Sequence, residues 1–317
     1  MRIVALTGLK GGVGKTSAAV NLAALAAAEG SRTLLWDLDV QGAATYCLDL
    51  KPKLKGGAAR LLGGPRSGLV AVARRSSIEG LVVVPSDGTV RELDTVLASG
   101  SRSAKAFRKL LAGAKADVDV AILDCPAGLT PVVEAVASVA DVLLVPVVPE
   151  RLPFRALDRF TEFLAESGTA SPKIAAPFLS MVDRRKPIHR RTEIEIRGRG
   201  DFLAAAIPES SAVARMGEEQ EPVVRSAPRS LAAQEYRRLW AEARERPHIR
   251  QRRIGQRDQS SATGGRYLGN QRRDRRPSVA ARRSGCQRYV SRLPSQLFSD
   301  NGDAVARGQG IHRSRQA

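Results

Sequence analysis

The sequence predicts an α/β fold with a mostly parallel central β-sheet flanked by helices, and three observations support this prediction. Short β-branched runs alternate with helical patterns through residues 1–246, as they do in parallel sheets. Several of these runs are apolar without alternation, which is typical of strands covered on both faces. A glycine-rich stretch, LTGLKGGVGKTSAAV at 6–20, follows the first run and opens a helical pattern. We expect roughly six to eight strands with right-handed crossovers.

The predicted elements follow in order along the chain. The runs at 2–7 and 33–39 predict strands, and the alanine-rich segment 16–30 between them predicts a helix that Gly30 ends. Apolar runs bounded by turn-forming residues predict further strands at 81–87, 118–126, 141–149, 173–183 and 203–208. Helical spacing of apolar residues predicts helices at 102–115, 153–166 and 229–246.

The charge of the chain is unevenly distributed and divides it into two parts. Residues 247–317 contain 16 Arg, 4 Asp and neither Lys nor Glu, so they hold +12 of the formal net charge of +19. Only 10 of these residues are Ile, Leu, Val, Phe or Met, too few to offset the entropy of ordering. We therefore predict a folded domain at 1–246 and a disordered basic tail at 247–317. An out-of-frame extension of a GC-rich gene would give the same composition.

Cysteine usage and hydropathy indicate a cytoplasmic protein without a membrane segment. The three cysteines, Cys47, Cys125 and Cys286, are too widely separated for a zinc site or a disulfide framework. The N-terminus lacks the features of a signal peptide. The most apolar window, 132–149, carries two acidic residues and two prolines, which disfavour a membrane span.

The glycine-rich loop predicts a phosphate-binding site. Glycines let consecutive backbone N–H groups turn toward phosphate oxygens, and the following helix adds its N-terminal dipole. Lys15 would contact the β- and γ-phosphates, and the Thr16 hydroxyl would bind Mg²⁺. The candidate nucleotide-binding residues of this loop are Lys10, Gly11, Gly12, Val13, Gly14, Lys15, Thr16 and Ser17.

The loop departs from the usual spacing G-x-x-x-x-G-K-[ST]. Leu9 stands where the first glycine is expected, and Lys10 occupies a position at which the usual loop accepts any residue. The departure leaves open whether this is a damaged phosphate-binding loop or one built for another purpose.

Three carboxylates at strand ends are candidates for metal binding and catalysis. Asp37 and Asp39 lie two residues apart at the end of the second strand, so they point to the same face. One can hold a water on Mg²⁺ while the other orients the attacking water; a solvated acidic strand end is the alternative. Asp124 ends an apolar strand, as the acidic residue of a Walker-B motif does.

The segments KGGVGKTS, DLDVQGAAT and ILDCPAG resemble the ParA/MinD family of deviant Walker-A ATPases, in order and at comparable spacing. The resemblance extends over about residues 1–246 and is greatest to partition ParA (Soj-like) proteins. It implies the P-loop NTPase fold, with ATP and Mg²⁺. Two departures are Val40, where partition members often have proline, and an unusually basic stretch at 51–62. That stretch is either a solvated charge run or a polyanion contact.

The resemblance also implies roles for individual residues. Lys10 matches the signature lysine, which reaches across a dimer to the ATP of the partner, so the loop is not damaged. Asp39 would position the hydrolytic water, and Asp37 and Asp124 would act through metal-bound waters. The adenine pocket would be lined by the segment from Met181 to Asp183 and by Pro208. Cys125 would be a small packed residue.

The resemblance implies an ATP-dependent homodimer that hydrolyses ATP to ADP and phosphate and binds DNA non-specifically in its ATP form. A ParB-like activator and a nucleoid-associated location in the cytoplasm would follow, with chromosome or plasmid partition or cargo positioning as the task. Candidate DNA contacts are Arg215, Arg225, Arg229, Arg237 and Arg238. The alternative is that these arginines are solvated or paired with nearby glutamates.

Three alternatives use the same ATP-binding fold. A MinD-like membrane switch requires a C-terminal amphipathic helix, but Pro294 interrupts the apolar cluster RYVSRLPSQLF. An amidotransferase resembling cobyrinic acid a,c-diamide synthase requires a glutaminase domain, for which the sequence around Cys286 and His312 is too polar and short. An iron–sulfur reductase requires paired ligand cysteines, a pattern that Cys47 and Cys125 do not match.

Overall fold

The computed structural model describes residues 1–62, 68–98, 102–150, 153–166, 175–197 and 200–246. These residues belong to one compact unit, Met1–Arg250. The tail predicted at 247–317, including the apolar cluster that bears on a membrane switch, lies outside the described residues. Its disorder and the division of the chain at residue 246 therefore stay predictions.

The described residues form one sheet of eight strands in the order β3-β4-β2-β5-β1-β6-β7-β8. All paired neighbours are parallel except β3 and β4, which are antiparallel at one edge. The strands are β1 Arg2–Leu6, β2 Thr33–Asp37, β3 Arg74–Arg75, β4 Leu81–Val84, β5 Val120–Asp124, β6 Val142–Val147, β7 Ala175–Val182 and β8 Ala206–Pro208.

Thirteen α-helices and one short 3-10 helix, Gly88–Val90, connect these strands within the described residues. The helices are α1 Lys15–Ala28, α2 Ala43–Tyr46, α3 Gly57–Leu62, α4 Leu69–Val72, α5 Arg91–Leu97, α6 Arg102–Gly113, α7 Pro131–Ala137, α8 Pro153–Glu166, α9 Pro187–Arg197, α10 Ser211–Ala214, α11 Met216–Glu219, α12 Val223–Ser226 and α13 Leu231–Glu245. None of the helices in the described ranges combines the length and apolarity needed to cross a membrane.

The mostly parallel sheet confirms the predicted fold class, and the predicted strands and longer helices are all present. Most strands are shorter than predicted; the run at 203–208 contributes only Ala206–Pro208. The two-residue edge strand β3 was missed because Arg74 and Arg75 give no apolar pattern. Charged side chains are common on edge strands, where the backbone is paired on one side only.

Helix α1 packs closely on the sheet because nearly all its side chains are small. Six of its seven alanines lie in one buried cluster with residues of β1, β2, β5, α12 and α13. The helix ends where predicted: Gly30 has a φ of 85°, and the N–H groups of Gly30 and Ser31 donate to the carbonyls of Ala27 and Ala26. This paired arrangement after a left-handed glycine is a Schellman motif.

The opposite face of the sheet is anchored by an aromatic pair. Trp36 of β2 stacks on Phe107 of α6, with ring centroids 4.9 Å apart and an interplanar angle of 10°. Both side chains are buried. Leu35, next to Trp36, belongs to the α1 cluster, so the alternation of β2 sends neighbouring side chains to opposite layers.

Replacing Phe107 by Ala should lower the free energy of unfolding by about 3–5 kcal/mol, because the change leaves a cavity against Trp36. Urea denaturation followed by circular dichroism measures this loss. The matched control is Ile194→Ala at a side chain that is 70% exposed, where a change within about 0.5 kcal/mol is expected. Equal losses in both variants would contradict a packed aromatic anchor.

Candidate nucleotide-binding site

The site predicted from the motifs forms at the carboxyl edge of the three central strands. Asp37 ends β2 and Asp124 ends β5, and the two residues are register partners in the parallel ladder. Leu6, the last residue of β1, is the register partner of Asp124 on the other side. The glycine-rich loop follows β1 and precedes α1. The fold therefore brings the loop and both strand-end acids together, where open α/β sheets bind ligands.

The loop after β1 has the backbone conformation that its glycines permit. Gly12 and Gly14 have φ values of 70° and 92°. Residues other than glycine rarely adopt this left-handed region. A Cβ on Gly14 would also lie 2.8 Å from the Ser180 hydroxyl. Since α1 begins at Lys15 and Gly14 has no side chain to cap it, the N–H groups of the first turn can donate hydrogen bonds to an anion.

The two lysines of the loop point to different surroundings. Lys15 is only 7% exposed, and its Nζ donates to the carbonyl of Lys10 at 3.1 Å. Burial lowers the pKa of Lys15, while the charges of Asp124 and Asp39 oppose that shift. The Lys10 side chain is 64% exposed, with its Nζ 3.7 Å from Glu150 Oε2. Lys10 thus faces solvent, and Lys15 lies close to Asp124 and Asp39.

Asp37 is a buried carboxyl held by its own chain segment. Its Oδ2 accepts from the N–H and the hydroxyl of Thr45 at 2.9 and 2.7 Å, and its Oδ1 accepts from the N–H of Asp39 at 3.2 Å. Burial raises the pKa of Asp37 to about 6, although the hydrogen bonds from Thr45 and Asp39 favour its charged form. These bonds fix the carboxyl beneath the segment that carries Asp39.

Asp124 is fully buried, and within the described residues neither of its carboxyl oxygens has a hydrogen-bond partner. Burial raises its pKa well above the ordinary value, and the charge of Asp37 adds to the rise. Thr16 and Lys15 favour the charged form, Thr16 without reaching hydrogen-bonding geometry. An unpartnered buried carboxyl is costly, and a nearby Mg²⁺ with its bound waters would satisfy it.

The residues present fit a magnesium ion that is held largely by a nucleotide. In the described part of the chain, no three His, Cys, Asp or Glu side chains are grouped to hold a metal by themselves. The ion would instead depend on the Thr16 hydroxyl and on phosphate oxygens, with Asp37 and Asp124 binding its waters. This donor set is the one predicted from the sequence, and its role in metal binding stays a prediction.

Asp39 lies at the mouth of the site in a turn. Its carboxyl is half-buried, and Oδ1 accepts from the N–H of Gln41 at 3.0 Å. The N–H of Gly42 donates to the Asp39 carbonyl at 2.9 Å. The Asp39 carboxyl is close enough to Lys15 to favour its charged form. Asp39 is therefore near the buried lysine yet open to solvent.

The residues predicted to line the adenine pocket lie on two neighbouring strands. Val182 of β7 is the register partner of Pro208 in β8, and Met181 is 38% exposed with a φ of 55°. The Asp183 carboxyl accepts from the backbone N–H, Nε and Nη2 of Arg185 at 2.9–3.1 Å. These bonds lower its pKa to about 2. The fold brings these residues together, and their contact with adenine stays a prediction.

The candidate DNA-contacting arginines are all exposed, but several have partners. Three form i,i+4 ion pairs: Arg215 with Glu219, Arg225 with Glu221 and Arg238 with Glu242. Arg237 donates to the carbonyl of Pro228 at 2.8 Å. Exposed pairs contribute only about 0.2–1 kcal/mol, so an ordinary ion pair and a DNA contact are compatible at these positions.

Sequence reasoning missed three residues that matter to the site. Thr45 holds Asp37, Glu150 pairs with Lys10, and Asn21 is buried in α1. Asn21 donates to the Ser17 carbonyl at 2.8 Å and accepts from the N–H of Val224 at 3.0 Å, which joins the first turn of α1 to α12. A lone asparagine in an alanine-rich helix was the available signal. Nothing in the local pattern singled out Thr45 or Glu150.

Comparison with known proteins identifies the family. A sequence model described as an AAA domain matches residues 1–173. The chromosome-partitioning ATPase Soj of Thermus thermophilus is 30% identical over 247 residues, which cover 76% of this chain and 95% of the relative. The chain belongs to the ParA/MinD family. At the level of the family, its function is that of a ParA-type ATPase.

Two solved structures have this fold, and each match extends over nearly the whole of the solved chain. MinD of Aquifex aeolicus matches with a TM-score of 0.62 and 20% identity, over 76% of this chain and 96% of MinD, which supports the fold alone. Cobyrinic acid a,c-diamide synthase of Mycobacterium smegmatis, with bound ADP and magnesium, matches with a TM-score of 0.58 and 26% identity. That match covers 72% of this ParA/MinD-family chain and 97% of the synthase chain.

Replacing Asp37 by Asn should reduce the pH dependence of stability in the absence of nucleotide and Mg²⁺. Because the pKa of Asp37 is raised from 3.8 to about 6 on folding, the folded state binds more protons between these values. The free energy of unfolding should therefore fall as pH rises from about 4 to about 7, and this fall should be smaller in the variant. Urea denaturation at several pH values measures the slope.

The control for this prediction is Asp119→Asn. Hydrogen bonds from Arg32 lower the pKa of Asp119 to about 2, so its contribution changes only below about pH 4 and the wild-type slope should be kept. A slope in Asp37→Asn that equals the wild-type slope would show that Asp37 is already ionised across this range.

Proposed function

We propose that this chain is an ATP-dependent dimerising switch of the ParA type, which hydrolyses ATP to ADP and phosphate and binds DNA non-specifically as its ATP dimer. Chromosome or plasmid partition, or the positioning of another cargo, would be its task. The observation that carries the proposal is the contrast between the buried Lys15 and the outward-facing Lys10. Lys15 would then serve the chain's own nucleotide and Lys10 the nucleotide of a partner.

Electrostatics explain why an ATP-bound dimer would need Lys10. Each ATP brings about four negative charges at neutral pH, so two sites facing each other repel unless cations lie between them. Lys10 of each protomer would supply that cation, which makes dimerisation depend on ATP and reverse after hydrolysis. The ion pair of Lys10 with Glu150 is exposed on both sides and worth only about 0.2–1 kcal/mol. Lys10 can therefore leave Glu150 at little cost.

The remaining site residues divide the work of hydrolysis. Lys15 and the first-turn N–H groups of α1 would bind the phosphates, and Thr16 would hold Mg²⁺, which neutralises charge that develops on the phosphates. Asp37 and Asp124 would orient the waters of the ion. Asp39, half-buried and close to Lys15, would orient the attacking water.

DNA binding and partner stimulation complete the proposed cycle. The exposed arginines between Arg215 and Arg238 would contact phosphates, with steep dependence on salt and without sequence preference. Dimerisation would double this basic surface. Slow intrinsic hydrolysis and stimulation by a ParB-like partner are expected from the family. The name of the Thermus thermophilus relative, a chromosome-partitioning ATPase, supports this assignment.

An ATP-dependent amidotransferase is the second candidate, because the synthase of Mycobacterium smegmatis is 26% identical. Glutamine hydrolysis by such enzymes requires a reactive thiolate. Burial raises the pKa of Cys47 to about 11 and that of Cys125 further above the usual thiol range. The two cysteines that the structure describes are therefore unsuited to this role, and the partition-type switch is favoured.

Retention of DNA by the wild-type chain tests the proposed function directly. ATP and Mg²⁺ should increase binding to a non-specific duplex, and Lys15→Ala should abolish the increase because its nucleotide is not held. Pelleting with liposomes instead of DNA would support the membrane switch. Bound iron in the purified protein would support the reductase.

Replacing Lys10 by Ala should abolish the ATP-dependent dimer and leave nucleotide binding at the single site measurable. Sedimentation with a non-hydrolysable ATP analogue and Mg²⁺ measures the dimer, and a fluorescent analogue measures binding. Glu150→Gln is the control. It removes the intrachain ion-pair partner of Lys10 but keeps the positive charge of Lys10, and this variant should still dimerise. A Lys10→Ala protein that dimerises as the wild type does would refute the proposed exchange.

Replacing Asp39 by Ala should trap the ATP dimer, because the water loses the group that orients it. Turnover should fall by about 100-fold or more, while the dimer persists in ATP on a gel-filtration column. Asp49→Ala, at an exposed carboxyl outside the site, should turn over normally. Wild-type rates in Asp39→Ala would remove Asp39 from the mechanism.

A further inference from the structure

A second basic surface lies far along the chain from the C-terminal arginines. Residues 51–57, KPKLKGG, form a segment that we call the basic loop. Lys51, Lys53 and Lys55 are exposed, whereas Leu54 between them is 2% exposed. The buried leucine anchors the segment and leaves three lysines at alternate positions on the surface.

The backbone of the basic loop is tied to the edge of the sheet. Arg74 of β3 donates from Nη1 to the Lys51 carbonyl at 3.3 Å and from Nη2 to the Lys53 carbonyl at 2.7 Å. The N–H of Leu54 donates to Asp87 Oδ2 at 2.8 Å. These bonds use backbone groups of the loop and do not involve the ammonium groups of its three lysines.

Asp87, the acid that accepts from Leu54, also has other hydrogen-bond partners. The Oδ1 of Asp87 accepts from the N–H of Thr89 at 2.9 Å, while its Oδ2 accepts from Leu54. Burial raises the pKa of Asp87, but hydrogen bonds from Thr89 and Leu54 lower it by more, and the charge of Lys53 adds to the lowering. Asp87 therefore compensates Lys53 in part, and Lys51 and Lys55 are the cleaner probes of this surface.

The basic loop also packs against the segment that follows Asp39. A Cβ placed on Gly42 would lie 2.8 Å from the Cβ of Pro52, so the two backbones approach closely. The N–H of Gly42 in turn donates to the Asp39 carbonyl. If nucleotide binding moved Asp39, Gly42 and Pro52 would transmit the displacement to the basic loop.

We propose that the basic loop is a contact for the phosphate backbone of duplex DNA, additional to the C-terminal arginines. This proposal rests on the DNA binding of the proposed function and adds a surface to it. Lysines suit phosphates as mobile point charges, and a contact to phosphates adds affinity without sequence preference.

Two other kinds of partner, a membrane surface and another protein, fit the loop less well. Membrane-surface segments insert apolar side chains beside their basic ones, but the leucine of this loop is buried. Protein interfaces depend on aromatic and arginine anchors in pockets and are depleted in lysine. Exposed lysines on a backbone fixed at several points are suited instead to a regular array of phosphates.

The test is a double variant, Lys51→Gln with Lys55→Gln, in the full-length chain. Its binding to a non-specific duplex in ATP and Mg²⁺ is measured at several salt concentrations. If both lysines contact phosphates, the slope of log affinity against log salt should become shallower by about 2, and affinity at 0.1 M salt should fall at least about tenfold. ATP-dependent dimerisation should be unchanged.

The matched control removes the same charge from another surface. Lys109 of α6 and Lys115 are also exposed, and Lys109→Gln with Lys115→Gln should keep the wild-type slope. Equal slopes in wild type and the basic-loop variant would overturn the proposal, and so would an equal loss in both variants, which would indicate a general charge effect.

Two further outcomes separate this proposal from its alternatives. If the basic-loop variant binds DNA normally but loses binding to vesicles of phosphatidylglycerol and phosphatidylcholine, the loop is a membrane contact and the proposal is overturned. If the wild-type chain itself shows no ATP-dependent DNA binding, the proposed function fails and the surface fails with it. Wild-type binding with an unaffected basic-loop variant overturns the surface alone.

Discussion

The burial of Lys15 close to Asp124, whose carboxyl is buried next to that of Asp37, is the interaction on which the rest of the site depends. Asp37 and Asp124 end neighbouring parallel strands, and burial raises the pKa of both. Two acids and one lysine in an apolar surrounding favour the binding of additional ions, because the charge of each group is only partly balanced by its neighbours. A magnesium nucleotide supplies both the cation that the acids lack and the anion that the lysine lacks.

Helix α1 links this site to the C-terminal part of the domain. Its first turn faces the predicted phosphates, and Asn21, one turn later, joins the Ser17 carbonyl to the N–H of Val224. The end of the helix contacts α13 through Glu29, which accepts from Trp240 and Arg244. A displacement of α1 would therefore be transmitted to the helices that carry the candidate arginines.

Two sets of exposed basic residues are joined by contacts to segments of this site. The arginines follow α1 through its contacts with α12 and α13, and the basic loop follows Asp39 through Gly42 and Pro52. The proposed switch would need no new contact to form at a distance. It would require only that small movements at the phosphates change the positions of the arginines and lysines that are already exposed.

The sequence by itself determined the chemistry, because a phosphate loop needs glycines and lysines at fixed offsets and strand-end acids need only local patterns. It also determined the parallel sheet and the end of α1 at Gly30. The strand order, the edge strand β3 and the partners of Asp37, Lys10 and Asn21 were decided by the tertiary structure. Thr45, Glu150 and Val224 are joined to their partners by packing and chain reversal, which local periodicity does not encode. Which surface a charge occupies therefore depends on contacts between distant segments, as Arg74 and the basic loop illustrate.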